Sequence, residues 1–215
     1  MVIKYLGHSS FRIKSSNATV VTDPFDPKST GLAYPKVTAD VVTVSHQHAD
    51  HNFIQRVEEN PFVIDGPGEY EVKQVRVNGF TTFHDASSGS ERGSNTMYLI
   101  TLENISILHC GDLGHRLSDE TLNKLDPVDI LLIPTGGYYT IDAKTATEVT
   151  AQLEPAIVIP MHYNRNGLDQ KVFSKLTPVD EFLSQIGEKD VKPEDKLTIT
   201  KSQIPEETQV VVLNG

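Results

Sequence analysis

Six consecutive residues contain four side chains of the kinds that bind metals in proteins. His46, His48 and His51 supply imidazoles and Asp50 supplies a carboxylate, ligands suited to borderline divalent ions. In an extended chain, alternate side chains share a face, so His46 and His48 can reach one ion. If the chain then turns into a first helical turn, Asp50 and His51 swing toward a second ion. The alternative is a solvated His-rich loop or a tag, against which the preceding apolar run and the interruption by Asp50 argue.

One segment does not supply enough ligands for such a centre, and three further candidates lie elsewhere in the chain. His84, Asp112 and His162 each come at or just after the end of an apolar run. Loops that leave rigid strands are where binding and catalytic groups gather. We therefore expect these side chains to converge with residues 46–51.

The elements that must position these residues follow from hydrophobic patterning. Strands are predicted at residues 2–6, 11–14, 18–22, 40–45, 62–64, 70–77, 80–83, 96–102, 105–109, 130–133, 156–159, 196–201 and 209–213. Helices are predicted after the capping residues Ser118 and Asp142 and at residues 179–186. The strands come in two batches with helices among the second. This pattern predicts one domain, residues 1–215, in which two sheets are covered by helices.

Composition narrows the functional classes. The chain has 215 residues, 38% hydrophobic and 22% charged, with one cysteine, Cys110. One cysteine cannot form an intrachain disulfide, no apolar run approaches the ~20 residues needed to cross a bilayer, and the N-terminus does not resemble a signal peptide. These features favour a cytoplasmic protein without membrane contact. The net charge of −10 disfavours a protein that grips nucleic acid.

The His46-Gln47-His48-Ala49-Asp50-His51 motif, followed by a later His, Asp and His, resembles the hallmark of the metallo-β-lactamase superfamily. The resemblance covers nearly the whole chain. It implies an α/β (α+β) fold, a four-layer αββα sandwich with the metals at one edge of the sheets. The sequence resembles most the short ascorbate-6-phosphate lactonase-like branch. The other segments that carry these resemblances are Tyr5-Leu6-Gly7-His8, Thr22-Asp23-Pro24, Gly111-Asp112-Leu113-Gly114-His115 and Pro160-Met161-His162.

The resemblance also implies a ligand set for two divalent ions, zinc first, with manganese and iron as alternatives. One ion would take His46, His48 and His84, and the other Asp50, His51 and His162, with Asp112 bridging the two. His109 is the substitute for His84, whose flanking residues depart from the familiar pattern.

Other residues have candidate roles around that centre. Asp23 is expected to receive an N–H from a ligand imidazole, which would fix its tautomer; capping of the Asp-Pro turn is the alternative. Arg92 and Arg165 are candidates to bind a phosphate or carboxylate, because guanidinium forms bidentate bonds to both. Solvated loop arginines are the alternative. The remaining candidates for the substrate pocket are His8, Tyr138 and Tyr163, and His115 has no assigned role.

The predicted chemistry is hydrolytic. Two ions that share a water lower its pKa from about 15.7 toward neutrality and give a hydroxide nucleophile, which would attack an ester, lactone or phosphoester of a small substrate. Asp50 is expected to orient the hydroxide or take its proton. The alternatives are an RNA- or phosphodiester-cleaving enzyme, an iron-dependent oxidoreductase, and a non-catalytic binding domain stabilised by metal.

Overall fold

The computed structural model describes residues 1–215 and contains two β-sheets that face each other. The strands, in chain order, are β1 (Val2–Gly7), β2 (Ser10–Lys14), β3 (Thr19–Thr22), β4 (Val37–Thr38), β5 (Val41–Thr43), β6 (Val57–Glu58), β7 (Phe62–Ile64), β8 (Gly68–Val72), β9 (Val75–Phe83), β10 (Ser94–Leu102), β11 (Ile105–His109), β12 (Ile130–Pro134), β13 (Ile157–Met161), β14 (Leu197–Thr198) and β15 (Gln209–Val210). The helices are α1 (Pro27–Thr30), α2 (Asp119–Lys124), α3 (Ala143–Leu153), α4 (Gln170–Phe173) and α5 (Val179–Ile186), with 3₁₀ turns at Ile54–Arg56 and Lys201–Gln203. None of these helices has the length and apolar character needed to span a bilayer.

The first sheet has the strand order β14-β1-β2-β3-β5-β7. Strands β1, β2 and β3 form an antiparallel meander, and β3, β5 and β7 are parallel neighbours. Consequently β1, β3 and β5 run in the same direction, and the chain leaves them at one edge of the sheet. His8, Asp23 and the segment that begins at His46 follow these three strands.

The second sheet has the order β15-β13-β12-β11-β10-β9-β8. Strands β9, β10 and β11 are antiparallel, whereas β11, β12 and β13 are parallel. Because β9, β11 and β13 therefore share a direction, the residues that follow them also leave at one edge. These residues include His84, Asp112 and His162.

The core lies between the two sheets. One hydrophobic cluster joins side chains of β1, such as Ile3, to side chains of β10 and β12, such as Ile100 and Leu131. Every residue of β12 and β13 is buried, as expected for strands covered on both faces. Helix α3 packs against α5 and β12 on the outside of the second sheet. A smaller cluster, to which Phe25 and Tyr34 belong, covers the other face of the first sheet.

The predicted two-sheet sandwich is confirmed, together with the meander, the β10–β11 hairpin, α3 and α5. The single strand predicted at residues 70–77 is wrong. Lys73 and Gln74 have φ angles of 49° and 66° and turn the chain between β8 and β9. Glycine and asparagine usually indicate such a turn, and neither occurs at these two positions. The strand predicted at residues 196–201 is shorter than expected, since a 3₁₀ turn follows β14. Helices α1 and α4 are single turns that hydrophobic periodicity cannot detect.

Candidate metal centre

The seven predicted metal ligands meet at the edge where the two sheets come together. The segment from His46 to His51 follows β5, and His84, Asp112 and His162 follow β9, β11 and β13. Every one of these side chains contacts another member of the set. The expectation that strand ends would bring them together is met.

The segment from His46 to His51 has a different shape from the one expected. It is a series of bends rather than an extended strand, and the N–H of His51 donates to the carbonyl of His48 at 2.9 Å. The bends at residues 45–48, and not strand alternation, bring His46 and His48 together, and the turn at residues 48–51 places Asp50 and His51 next to them. No α-helix follows; the next element is the 3₁₀ turn Ile54–Arg56.

Three imidazoles form a first cluster. The ring centroids of His46 and His48 lie 4.6 Å apart, and that of His84 lies 4.8 Å from His46 and 5.3 Å from His48. One nitrogen from each ring lies within 4.8 Å of the other two. This is a separation that a single ion can bridge with three ligands.

A second cluster lies beside the first and contains Asp50, His51, His162 and also His8, whose ligand atoms all lie within 4.8 Å of one another. Asp112 lies between the clusters. Its Oδ2 is 3.1 Å from Nε2 of His84 in the first cluster, and 3.3 Å from Nε2 of both His51 and His162 in the second. Asp112 therefore lies within reach of side chains in both clusters.

Asp23 orients ligands in both clusters. Its Oδ2 lies 2.8 Å from Nδ1 of His51 and accepts a hydrogen bond of 2.6 Å from the hydroxyl of Ser45. Ser45 Oγ lies 2.9 Å from Nδ1 of His46. Since the single hydroxyl proton of Ser45 goes to Asp23, Ser45 accepts the Nδ1–H of His46. Both imidazoles thus carry their proton on Nδ1 and leave Nε2 free as a ligand.

Asn95 fixes the turn that presents Asp112. Its side chain is fully buried, its Oδ1 accepts the backbone N–H of Asp112 at 2.9 Å, and its Nδ2 donates to the carbonyl of Cys110. Gly111 between them has φ 55°, and a Cβ there would lie 2.3 Å from Asn95 Oδ1. Only glycine permits this close approach.

The centre concentrates negative charge in a buried place. Although burial favours the neutral acid, His162 and His51 hold the pKa of Asp112 well below its usual value. Burial lowers the pKa of His46 to about 3. For His51 burial also favours the neutral form, yet the carboxylates of Asp112 and Asp50 raise its pKa well above the usual value. Carboxylates this strongly ionised away from water need a cation beside them, and either the imidazolium of His51 or a metal ion at its Nε2 can fill that place.

The donor set fits a pair of divalent metal ions. Ten buried side-chain nitrogen and oxygen atoms lack a hydrogen-bond partner, and three of them are ligand atoms of this centre: His46 Nε2, His51 Nε2 and Asp112 Oδ1. Native proteins rarely leave such atoms unpaired except at sites for an ion or a reaction. Because the donors are imidazole nitrogens and carboxylate oxygens, zinc, manganese and iron are the ions that suit them.

A cavity of about 530 Å³ opens above the two clusters. Its floor consists of metal-ligand candidates: His48, Asp50, His84, Asp112 and His162. Its rim comes from four short segments and consists of Lys28, Ser29, Arg92, Tyr139, Asp169, Val172 and Phe173. The volume suits a small molecule.

Among the five predicted substrate residues, Arg92 lies on the rim and the other four do not. The φ of 56° at Tyr138 turns its side chain away from the cavity, and Tyr139 lies on the rim instead. The side chain of Tyr138 is half exposed, and its hydroxyl accepts a hydrogen bond from Lys175. Tyr163 is buried and packs against Tyr5, with ring centroids 6.3 Å apart. The predictions for Tyr138 and Tyr163 are corrected accordingly.

Arg165 also lies outside the cavity, contrary to the prediction. Its guanidinium donates to the carbonyl of Gly215 and lies 5.6 Å from the ring centroid of Tyr5. The cation is thus engaged in packing the end of the chain against β1.

Three further histidines have defined partners. His8 does not line the cavity; it is buried behind Asp50, with its Nε2 3.1 Å from Asp50 Oδ2 and its ring centroid 4.1 Å from that of His162. His109 donates from Nε2 to the carbonyl of Ser9 at 2.8 Å and so does not replace His84. His115 accepts the backbone N–H of Phe83, which is a structural role.

Reasoning from the sequence missed the rest of the rim and the residues that hold the ligands. Ser45 and Asn95 are buried polar residues beside ligands, and nothing in their spacing separates them from ordinary strand residues. Phe173 lies on α4, an element absent from the predictions. The aspartates that cap α1 and α4, Asp26 and Asp169, were the one signal that could have located these short helices.

Known proteins resemble this chain in sequence. The family model described as "Beta-lactamase superfamily domain" matches residues 2–162. A protein of Carboxydothermus hydrogenoformans named UPF0173 metal-dependent hydrolase is 31% identical over 195 residues, which span 76% of this chain and 85% of that protein. A relative of the same name from Staphylothermus marinus is 32% identical over 76% of this chain and 83% of its own length.

Solved structures extend the comparison. A crystal structure from Thermotoga maritima, described as a candidate Zn-dependent hydrolase of the metallo-β-lactamase superfamily, has a TM-score of 0.81 and 38% identity over 99% of this chain and 97% of that one. CmlA, a diiron β-hydroxylase from Streptomyces venezuelae, has a TM-score of 0.62 and 16% identity, covering 93% of this chain and 54% of its own. The second likeness concerns the fold alone.

Proposed function

This chain belongs to the metallo-β-lactamase superfamily, and from that membership and the geometry of its centre we propose that it is a dinuclear metal-dependent hydrolase of a small substrate. Zinc is the proposed ion, with manganese and iron as alternatives. The relatives named as metal-dependent hydrolases support the reaction class. Cytoplasmic location belongs to the same proposal and rests on the single cysteine, Cys110, which is buried and unpaired.

The observation that carries the proposal is the position of Asp112. One carboxylate oxygen faces Nε2 of His84 at 3.1 Å on one side and Nε2 of His51 and His162 at 3.3 Å on the other. A structural metal site has no need of a carboxylate between two ligand clusters beneath an open cavity. In the proposed assignment His46, His48 and His84 hold one ion, Asp50, His51 and His162 hold the other, and Asp112 contacts both.

The residues of the centre have different roles in the proposed reaction. Two bound divalent ions would polarise the scissile ester or phosphoester and make water acidic enough to supply a nucleophile near neutral pH. Asp50 is partly exposed to the cavity, and His51 and His8 hold its pKa below the usual value despite its burial. Its ionised carboxylate can accept a hydrogen bond from the attacking water and orient it. His8 Nε2 lies 3.1 Å from Oδ2 of this carboxylate and limits its rotation.

The cavity argues for an enzyme rather than a metal-stabilised binding domain. Five of the seven ligand candidates line an open space of about 530 Å³. A purely structural centre is closed by its own ligands. The rim adds apolar and charged groups that can hold a substrate of modest size over the ions.

The proposal is tested by removing and restoring the metal. Protein treated with a chelator and then reconstituted with zinc, manganese or iron should regain hydrolysis of at least one compound in a panel of lactones, carboxylic esters and phosphodiesters. A fully loaded protein that hydrolyses nothing in the panel would contradict the proposal. Cleavage of single-stranded RNA without cleavage of small esters would favour the nuclease alternative instead.

A further inference from the structure

The loop that joins β9 to β10 is fixed by one buried carboxylate. Asp85, which is 4% exposed, accepts four backbone N–H groups: those of Ser87 and Gly89 at 2.8 and 2.9 Å, and those of Glu91 and Arg92 at 3.1 and 2.8 Å. Four charge-assisted bonds from a single side chain give the loop one defined shape. A loop that was merely a connection would leave most of these N–H groups to water.

The same carboxylate ties the loop to the metal centre. Asp85 directly follows the ligand candidate His84, and a Cβ at Gly114 would lie 2.2 Å from the backbone nitrogen of Asp85. The chain is therefore closely packed on both sides of this turn. The backbone of Arg92, bonded to Asp85 at 2.8 Å, is held beside the first cluster, and its side chain lines the cavity.

The guanidinium of Arg92 is available for a ligand. It makes no hydrogen bond within the chain; its nearest carboxylate is that of the adjacent Glu91 at 3.7 Å, and it lies 6.0 Å from the ring centroid of Tyr139. The aromatic ring can hold a guanidinium by a cation–π contact without using its N–H donors. Five donors in a planar fork remain free to bind an anion.

A second free cation lies on the same rim. Lys28 lines the cavity beside Ser29, and its ammonium forms no ion pair. The one carboxylate on the rim, Asp169, already accepts the backbone N–H of Lys171 as the cap of α4. The rim thus carries two cations in a chain of net charge −10. Lys28 forms no ion pair, and Arg92 has only the contact of 3.7 Å with the exposed carboxylate of Glu91, so this rim favours an anionic group. The apolar side chains of Val172 and Phe173 complete the rim.

We propose that the substrate carries a second, non-reacting anionic group, a carboxylate or a phosphate, which Arg92 and Lys28 bind, and that Asp85 is the positioning residue for Arg92. The inference rests on the proposed function, because it concerns the same cavity. It narrows the substrate class to small esters or lactones with an acidic group away from the scissile bond.

Two esters that differ in one charge test the proposal. The zinc-loaded protein is assayed with methyl 4-nitrophenyl succinate, which is neutral, and with the mono-4-nitrophenyl ester of succinic acid, which carries a free carboxylate, and each rate is corrected for hydrolysis without the protein. We expect kcat/KM to favour the anionic ester by about 10-fold or more, the range of a hydrogen bond to a charged group. Arg92→Ala should bring the ratio close to one and Arg92→Lys should give an intermediate value. Arg76→Ala, an exposed arginine on β9, is the matched control and should keep the native ratio.

Asp85→Asn tests the positioning role. The amide keeps the size of the side chain but loses acceptor capacity for the loop N–H groups, so the anionic ester should show a raised KM with a much smaller change in kcat. An equal loss of kcat for both esters would indicate a structural role only and would overturn the assignment of Asp85.

Binding of simple anions separates this inference from the proposed function. Calorimetry with inorganic phosphate and with acetate on the zinc-loaded protein should show that one of them binds about 10-fold more weakly to Arg92→Ala, and that ion identifies the class of anion. If both esters are hydrolysed at the same rate and Arg92→Ala binds anions as the native protein does, the proposed anionic group on the substrate is wrong. The proposed hydrolase function would still stand. Weakened anion binding in Arg92→Ala without hydrolysis of either ester would support the anion site and contradict the proposed hydrolase.

Discussion

The floor and the rim of the cavity are fixed in different ways. The ligands of the floor and those packed beside them leave the ends of sheet strands and are held by bonds between side chains, as Asp23 holds His51 directly and His46 through Ser45. Three of the four rim segments are short loops or single-turn helices, each held by an aspartate that accepts backbone N–H groups. The three are Asp26 for α1, Asp85 for the β9–β10 loop and Asp169 for α4.

This difference separates the residues proposed to bind metal and support the reaction from those proposed to bind the substrate. Most of the floor is buried, with only His48 and Asp50 open to solvent, and its geometry depends on the whole sandwich, so a change there should remove metal. The rim is partly exposed, with Val172 44% accessible, and depends on local bonds, so a change there should alter substrate binding while metal remains. Substitutions of the floor and substitutions of the rim should therefore have separable effects on metal binding and on substrate binding.

The largest effect is expected from Asp112→Asn. Asparagine has a similar shape but neither the charge nor the second anionic oxygen, so both ions lose a shared ligand. We expect metal affinity to fall by more than about 100-fold, since loss of an outer partner alone costs about 10–100-fold. Metal content after dialysis, measured by mass spectrometry, checks this. Asp129→Asn, at the start of β12, is the control, and retention of two ions by Asp112→Asn would show that Asp112 is not a shared ligand.

Asp23→Asn should have the next largest effect. The substitution removes the carboxylate that accepts from His51 and Ser45, so ligand imidazoles in both clusters lose their fixed tautomer. The expected loss of metal affinity is about 10–100-fold. Asp40→Asn, a carboxylate at the opposite end of the first sheet that pairs with Lys73, is the control. Native metal affinity in a folded Asp23→Asn protein would show that Asp23 only shapes the turn before Pro24.

Ser45→Ala should affect mainly the first cluster. It removes the partner of His46 Nδ1 and leaves the direct bond between Asp23 and His51 in place, so we expect metal affinity at one of two sites to fall by about 10-fold. The matched control is Ser9→Ala, since Ser9 has a buried hydroxyl without a partner at the same edge. Titration with zinc monitored by the imidazole signals of the ligands would show which site weakens. Equal weakening of both sites would contradict the separate paths to His51 and His46.

These residues also show how far the sequence alone could lead. The ligands were predictable because imidazole and carboxylate side chains stand at strand ends in chain order, and strands that share a direction release the chain at one edge. His8 was singled out from the resemblance, but its place behind Asp50 depends on β1 and β5 running in parallel, which the sequence does not state. Tyr138 and Tyr139 are adjacent and identical in type, and the positive φ of Tyr138 decides which of them faces the cavity. No pattern of side chains in the sequence reveals that torsion angle.

The smallest effect is expected on the rim, from Val172→Ala. Removing two methyl groups from a half-exposed side chain costs about 0.5–1 kcal/mol of contact with an apolar part of a substrate, or about a 2- to 5-fold rise in KM. Thermal unfolding and metal content should match the native protein. Steady-state kinetics on the best substrate of the panel, beside metal analysis of the same sample, checks both points; lost metal would show that floor and rim are not independent.

The most direct test of the account is to locate the ions. Crystals of the zinc-loaded protein, measured on both sides of the zinc absorption edge, should show two anomalous peaks per chain. One peak should lie among His46, His48 and His84 and the other among Asp50, His51 and His162, with Asp112 in contact with both. A single peak, or two peaks with Asp112 bound to neither ion, would contradict the dinuclear centre.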